Sequence, residues 1–575
     1  MFKVGRGKKE ITYFKKGLGM LGFGMAHHRM MDIKTPLFAR ALTITNSEQG
    51  KKWCLVNCEL AFITFSLQQE VLTLLSEQYP QWGYTEENLL LTAQHTHSGP
   101  AGFSYYHFYN ITSDGFHPDV LDFLSRGIVG AIEAAENNTI EADLYFGKEE
   151  FGQEDEVAFN RSPLAYNQNP DISEKITRET TWKGTNRWMK LLGIRDKNGR
   201  EVASANWFGT HTTSISNDQK SICGDNKGYA ARILENAFDE DYVGIFAQGI
   251  CGDVSPKFRY NPRHAFQRGP WEGKFPDDFK SAEYNGNLQS KKAKSIIEFS
   301  KYNTLNNNIL YCFNWINFSS IRVSKKYTGS GQDESTSSAV MGNSFFIGSL
   351  QDGPGAPPFL GTIVDQLLKL LKKRDMKRAR STSADALIET IQYYAIQHPK
   401  LMMAETGKKR FMGLFNLNLM PIPAFIDQNV AQLKHFYKKT KSLTTPWTPQ
   451  ILPLQVVCCG SLAWIAFPFE ITVIAGKRLE NSCLELLKAQ GIEEVILCPY
   501  ANGYAGYITT PEEYNVQQYE GGHTVFGKWT LPAIQTAFDW MIRQHIIKEN
   551  QNHPNWVVER PPYDKEHMEA FRAKS

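Results

Sequence analysis

Asn88-Leu-Leu-Leu-Thr-Ala93 runs directly into Gln94-His-Thr-His-Ser-Gly-Pro100. A short unbroken apolar run is the pattern of a strand buried on both faces, and the Gly-Pro pair ends it in a turn. The same grammar repeats outward from this point. Upstream, Trp53 to Thr64 is apolar and β-prone, and Ser66 with Gln69 three residues later predicts a capping box opening a helix. Downstream, His117 to Glu136 places Leu121, Leu124, Ile128, Ile132 and Ala135 on one helical face. A strand at Glu201 to Phe208, a helix at Lys227 to Phe238 and a strand at Tyr242 to Ala247 follow. Later come paired strands in Leu454 to Phe467, a helix from Ile471 to Ala489, a strand at Glu494 to Cys498 and a helix from Leu531 to Lys548. Such alternation predicts an α/β fold with α+β character, in which layered mixed β-sheets pack between helices.

The chain of 575 residues reads as one large unit through about residue 550, with insertions near 256–281 and 326–450 and a C-terminal extension over 551–575. Hydrophobic residues make up 42% and charged residues 21%, the balance of a globular protein, and a net charge of +3 is too small to gather nucleic acid. No run of about 18 apolar residues occurs, so no membrane span is expected. The nine cysteines are odd in number and sit mostly in apolar runs. They read as small buried hydrophobes in a reducing compartment. Lys3, Arg6, Lys8 and Lys9 precede no apolar segment of signal-peptide type, so a cytoplasmic address is expected, or a secreted or periplasmic one if a signal was removed. The basic run Lys369 to Arg380 closes an apolar helical pattern. It reads as a solvated helix end, with peripheral contact to an anionic membrane surface as the alternative.

Several short segments carry chemistry-bearing residues where strands end. In Thr92-Ala-Gln-His-Thr-His-Ser-Gly-Pro-Ala-Gly102, positions two apart along a strand point the same way, so His95 and His97 should face one site. Such a pair serves structure as readily as it ligates a metal. His211 follows another strand in Asn206-Trp-Phe-Gly-Thr-His211. Gly252-Asp-Val-Ser-Pro256 is not a nucleophile elbow, and Ser255 before Pro256 also fits a helix N-cap. Glu470, in Phe467-Pro-Phe-Glu470, stands where an apolar strand gives way to a helix. Ala501 to Tyr514 crowds aromatic and polar residues with glycines, the composition of a lined pocket.

The blocks His95-Thr-His-Ser-Gly-Pro, Asn160-Arg-Ser-Pro163, Gly224-Asp-Asn-Lys-Gly, Gly252-Asp-Val-Ser-Pro, Gln351-Asp-Gly-Pro-Gly355, Gly506-Tyr-Ile-Thr-Thr-Pro and Gln517-Gln-Tyr-Glu-Gly-Gly522 occur in that order. Together they resemble the neutral, non-lysosomal ceramidases, from Val4-Gly-Arg-Gly to about residue 548. The resemblance implies Zn2+ held by His95, His211, Glu470 and Tyr507, with His97, Arg161, Ser255 and Tyr519 around it. Two imidazoles, a carboxylate and a phenol oxygen suit Zn2+, which brings the pKa of bound water toward neutrality. Arg161 or Tyr519 could then stabilise the tetrahedral oxygen, His97 could protonate the leaving amine, and Ser255 could be a nucleophile or, better, a substrate anchor. The chain closes at Ser575, too soon after Lys548 for the C-terminal β-sandwich domain usual in the family, and Lys257 stands where the family usually has Asn.

The implied activity is hydrolysis of the N-acyl amide of ceramide or a related sphingolipid, giving a fatty acid and a sphingoid base. The alternatives are an amidase for another N-acyl amine or amino acid, and a zinc-binding protein without turnover. The expected partner is a lipid-like amide. Oligomeric state is not legible.

Overall fold

In the computed structural model the described residues are 2–573, apart from 265–267, 300–302, 307, 350, 356–357, 415–430, 433, 436 and 439–444. The insertion expected over 326–450 therefore lies partly outside them. The apolar runs build two mixed sheets. The larger uses β1 (Phe2–Glu10), β2 (Phe38–Asn46), β3 (Lys51–Cys58), β4 (Leu89–Ala93), β5 (Thr139–Glu150), β6 (Trp188–Asp196), β7 (Glu201–Phe208) and β8 (Val243–Gln248) in the order β8-β7-β6-β5-β1-β2-β3-β4. The smaller uses β9 (Ile309–Asn317), β10 (Ile451–Cys459), β11 (Leu462–Ala466), β12 (Glu494–Cys498) and β13 (Val557–Val558) in the order β12-β11-β10-β9-β13.

The inner faces of the two sheets share one apolar layer. Trp53, Leu55 and Trp207 meet Val457, Leu462 and Trp464 there, and the Trp53 and Trp464 rings lie 4.9 Å apart. Helices cover the outer faces. The outer face of the larger sheet is covered by α1 (Phe65–Gln78), α2 (Pro118–Asn137), α3 (Asp225–Glu235) and α4 (Asp278–Phe299). Beyond them in the chain come α5 (Pro358–Thr382) and α6 (Ala384–Ala395), then α7 (Val473–Leu487) and α8 (Thr530–Met541), which cover the smaller sheet. This is the layered α/β arrangement that the alternating pattern predicts. All nine cysteines are free and buried, and among the described residues no helix is long and apolar enough to cross a membrane.

Most pairings are antiparallel, but β3 with β4, β7 with β8 and β11 with β12 run parallel. Parallel neighbours end at the same edge, so each pair delivers two loops side by side at its C-terminal end, where open α/β sheets place their ligands.

Two local readings of the sequence are corrected. The cap of α1 is Thr64, whose Oγ1 accepts from the Leu67 amide at 3.1 Å, while Ser66 lies inside the first turn and donates to the Phe103 carbonyl at 2.6 Å. The extended backbone of Thr64 suits a cap, and a buried Ser66 has a tertiary acceptor instead. Ser255 caps no helix, because Val254–Ser255 pairs with Phe159–Asn160 as a short antiparallel ladder. The 551–575 extension supplies β13, and the amide of Ala573 donates to the carbonyl of Phe116 at 2.8 Å.

Strand β1 lies so close to α2 that a Cβ on Gly7 would stand 2.2 Å from the Ala131 carbonyl oxygen and 2.4 Å from the Ala135 nitrogen. Both obstacles are backbone, so the helix would have to lift off the sheet. Gly7→Ala is expected to cost about 2–3 kcal/mol, read as a lower denaturation midpoint. A midpoint equal to that of the parent protein would refute the close approach.

Candidate metal centre and its surroundings

Three strand-pair ends converge on one buried cluster. His95 follows β4 with φ of 75°, a left-handed turn that is uncommon for a residue with a Cβ. Its amide donates to the Leu60 carbonyl at 2.9 Å, just beyond the end of β3. His211 follows β7, and its amide donates to Val254, in the loop after β8, at 3.0 Å. Glu470 follows β11 and is the register partner of Tyr507, in the segment after β12, within a two-residue parallel ladder. Tyr500 and Asn502, also beyond β12, have φ of 57° and 58°. Strained backbone of this kind costs of order 1–3 kcal/mol per residue and gathers at functional sites.

The imidazole orientations are fixed by backbone. His95 Nδ1 lies 2.6 Å from the Ala61 carbonyl oxygen, and His211 Nδ1 lies 2.8 Å from Cys251 O and 3.0 Å from Val254 O. Carbonyls only accept, so each neutral ring carries its proton on Nδ1 and presents the Nε2 lone pair inward. Both lone pairs face a single carboxylate oxygen, Glu470 Oε2, at 3.5 Å from His95 and 3.1 Å from His211. Electron-rich atoms facing one another in a buried space repel unless a cation lies among them. The ligand atoms of His95, His211 and Glu470 all lie within 4.8 Å of one another. The Tyr507 hydroxyl stands 3.5 Å from His211 Nε2, in place to add an oxygen. This donor set fits Zn2+.

The remaining geometry tunes these groups. Glu470 also accepts from the Tyr500 hydroxyl at 3.0 Å and from the Tyr504 hydroxyl. Burial pushes His97 well down, helped by the neighbouring His95 and His211, so this ring is neutral. Its Nε2 lies 3.1 Å from His95 Nε2, and its Nδ1 is buried without a partner among the described residues. His95 and His97 thus face one site as the sequence predicts, although by the left-handed turn at His95 and not by strand alternation.

Arg161 is fully engaged. It donates to Glu520 at 2.9 Å, to Asp352 at 2.6 Å, to the Gly252 carbonyl at 2.7 Å and to the Tyr507 hydroxyl at 3.0 Å. Burial works against its charge, but Tyr507, Asp352 and Glu520 hold it firmly protonated. Ser255 turns its hydroxyl to Asp352, its Oγ donating to Asp352 Oδ1 at 2.5 Å. Tyr519 packs 5.5 Å from the Tyr507 ring, with the Arg161 guanidinium 5.5 Å above its own ring. Burial, then Glu470, pushes its phenol well up, so the hydroxyl remains a donor.

Asp352 is the residue that sequence reasoning left without a role. It accepts from Arg161, Ser255 and Thr213, and although burial opposes ionisation, Arg161 holds its carboxyl below the usual range. Its place within Gln351-Asp-Gly-Pro-Gly355 was the available sign. Tyr500, Tyr504 and Glu520 were likewise unassigned, though the aromatic and glycine crowding after Pro499 marks the region. His523, buried against Tyr507 and Phe345 at ring distances of 5.5 and 4.1 Å, had no sign at all.

The family profile described as "Neutral/alkaline non-lysosomal ceramidase, N-terminal" matches residues 2–536. The chain belongs to this family. Among similar proteins is the neutral ceramidase of Pseudomonas aeruginosa, 30% identical over 546 residues that cover 93% of this chain and 71% of that protein. Neutral ceramidase A of Dictyostelium discoideum is 30% identical over 591 residues, covering 96% and 74%. The crystal structure of the P. aeruginosa neutral ceramidase superposes with a TM-score of 0.73 and 28% identity, over 97% of this chain and 76% of that one. A ceramidase complexed with C2 gives a TM-score of 0.75 and 30% identity, over 94% and 75%. The chain is therefore an amide-bond hydrolase of the neutral ceramidase family.

If the cluster takes a cation, Zn2+ added to metal-depleted protein is expected to raise its melting temperature. The stabilisation should approach about 2.7 kcal/mol at free zinc a hundredfold above Kd. His211→Ala should abolish that rise. An equal rise in parent and variant would place the cation elsewhere.

Proposed function

We propose that this ceramidase-family chain cleaves the N-acyl amide of ceramide or a close sphingolipid, with Zn2+ held by His95, His211, Glu470 and Tyr507. The observation carrying the proposal is the pair of backbone-fixed Nε2 lone pairs aimed at one buried carboxylate oxygen, in a chain matched by the family profile over residues 2–536. Bound there, the metal would supply Lewis-acid polarisation of the amide carbonyl and acidification of water.

The chain's own residues supply the rest. His97 is neutral and its Nε2 stands at the cluster, 3.1 Å from His95 Nε2, which suits it to take a proton from attacking water and return it to the departing amine. Tyr519 keeps its proton and can donate to the oxygen that becomes negative at the tetrahedral stage. Arg161 has its donors committed to Tyr507, Asp352, Glu520 and Gly252, which suits it to hold Tyr507 in place and to set a positive potential. Ser255 gives its proton to Asp352, a carboxylate that Arg161 keeps ionised and therefore weakly basic. A hydroxyl without a competent base is better suited to anchoring substrate than to attacking it.

A fluorescent short-chain ceramide offered to zinc-loaded protein should yield fatty acid and sphingoid base. Tyr519→Phe should lower kcat by about 10²–10³. Ser255→Ala should raise KM more than it lowers kcat, whereas loss of all turnover would make Ser255 the nucleophile. Absence of product from the parent protein, with faster cleavage of N-acyl amino acids, would move the substrate assignment to another amide.

A further inference from the structure

Residues 359–396 carry an apolar surface that stands exposed among the described residues. On α5 the inward side is filled by Leu368, with Val364 and Leu371 packed against the core. A solvated helix would show polar residues on its other side. Instead Phe359, Ile363 and Leu370 stand outward with 65%, 59% and 61% of their surfaces exposed. Their spacing of four and seven residues lines them along one outward stripe. On the partner helix α6 and just beyond it, Ile388, Ile391 and Ile396 are about half exposed as well. Eight of the seventeen large apolar side chains exposed among the described residues fall between Phe359 and Ile396, which makes this a patch and not scattered surface leucines.

The charges continue the same surface. From Lys369 to Arg380 the helix carries Lys369, Lys372, Lys373, Arg374, Lys377, Arg378 and Arg380 against a single acid, Asp375. Asp375 is already occupied by Arg374 at 3.0 Å and by the Tyr394 hydroxyl of α6 at 2.8 Å, a bond that ties the two helices together. An apolar stripe bordered by long basic side chains is the composition of a helix lying in a lipid interface, with its apolar groups among acyl chains and its cations among headgroup phosphates.

The pair is also fastened to the candidate site. The Asn343 amide group donates to the Gly361 carbonyl at 2.9 Å and to Asp365 at 2.8 Å, joining the first turns of α5 to the short helix Asn343–Ile347. That short helix carries Phe345, which stacks on Tyr519 at 5.6 Å and packs on His523 at 4.1 Å. The segment joining it to α5 contains Asp352.

The geometry points to α5 and α6 as a docking surface for an anionic lipid bilayer, which holds the candidate metal centre close to the membrane where a two-chain amide resides. The docking rests on the surface alone, and its purpose rests on the ceramidase reading above. The test is flotation with vesicles of phosphatidylcholine alone or with about 30 mol% phosphatidylglycerol. The parent protein should float with the anionic vesicles and far less with the neutral ones. Ile363→Glu with Leu370→Glu, and separately Lys373→Glu with Lys377→Glu and Arg378→Glu, should each lower the floated fraction at least about tenfold. Both variants alter exposed positions, so they should melt with the parent and cleave soluble short-chain ceramide at the parental rate, while losing about tenfold on ceramide embedded in anionic vesicles. Parent protein that stays at the bottom with both vesicles, or variants that float like the parent, would overturn the proposal. So would a parent dimer that Ile363→Glu with Leu370→Glu makes monomeric without changing flotation, which would make the surface an interface between copies. A parent that floats yet cleaves no ceramide would leave the docking standing and sink the substrate assignment instead.

Discussion

The Glu470 carboxylate faces the unprotonated nitrogens of two imidazoles in a space from which water is largely excluded, and much of the fold can be understood as what holds that arrangement in place. Left to relax, either ring would turn a proton toward the carboxylate. The carbonyls of Ala61, Cys251 and Val254 prevent this by claiming the Nδ1 protons. Those carbonyls belong to loops beyond β3 and β8, whereas the rings belong to loops beyond β4 and β7. Each parallel pair therefore supplies both a candidate ligand side chain and the backbone that orients one. The third pair, β11 with β12, sends out Glu470 and Tyr507, which pair with each other again in their short ladder.

Bringing the third pair to the other two requires the smaller sheet to sit at a fixed offset from the larger. The tryptophan layer of Trp53, Trp207 and Trp464 between the sheets sets that offset, because large rigid rings pack in few ways. Gly252 completes the fit. A Cβ there would stand 2.7 Å from the Ile471 backbone, so only glycine lets the loop before Ser255 lie against the segment carrying Glu470. A cluster collected from positions 95, 211 and 470 thus depends on packing between the two sheets as well as on backbone packed directly beside Glu470.

Around the cluster, charge is balanced by Arg161 with Asp352 and Glu520. Buried ion pairs contribute little net stability, since desolvation offsets their attraction, but they select one arrangement among several. Here the selected arrangement holds the Tyr507 hydroxyl toward His211 and leaves Ser255 facing an acceptor already neutralised by Arg161. The outward face of α5 obeys a different logic. Its apolar residues add nothing to the core, and among the described residues its basic end finds few acidic partners, a composition that the proposed docking accounts for.

Local pattern determined the elements. The strand Glu494–Cys498 and the strand Glu201–Phe208 have the bounds that apolar runs and turn residues predict, because burial on both faces leaves a signature within a few neighbouring positions. Ordered motif blocks also marked the family and the residues grouped at its site. What the sequence left open were choices between near-equivalent local partners. Thr64 and Ser66 can each cap a helix, and the extended backbone that the fold gives Thr64 decides between them, while the distant Phe103 carbonyl accepts from both hydroxyls. Ser255 before Pro256 has the makings of a helix start, yet Phe159 draws it into a ladder. The left-handed turn at His95, the tautomers of both metal-facing rings and the hub at Asp352 depend on backbone carbonyls and side chains tens to hundreds of positions away. Periodicity reports which face of an element is buried, whereas hydrogen-bond partners across the fold are settled only when the sheets are docked. The candidate ligands were therefore legible in the chain as motif residues, and their grouping and geometry were decided by tertiary structure.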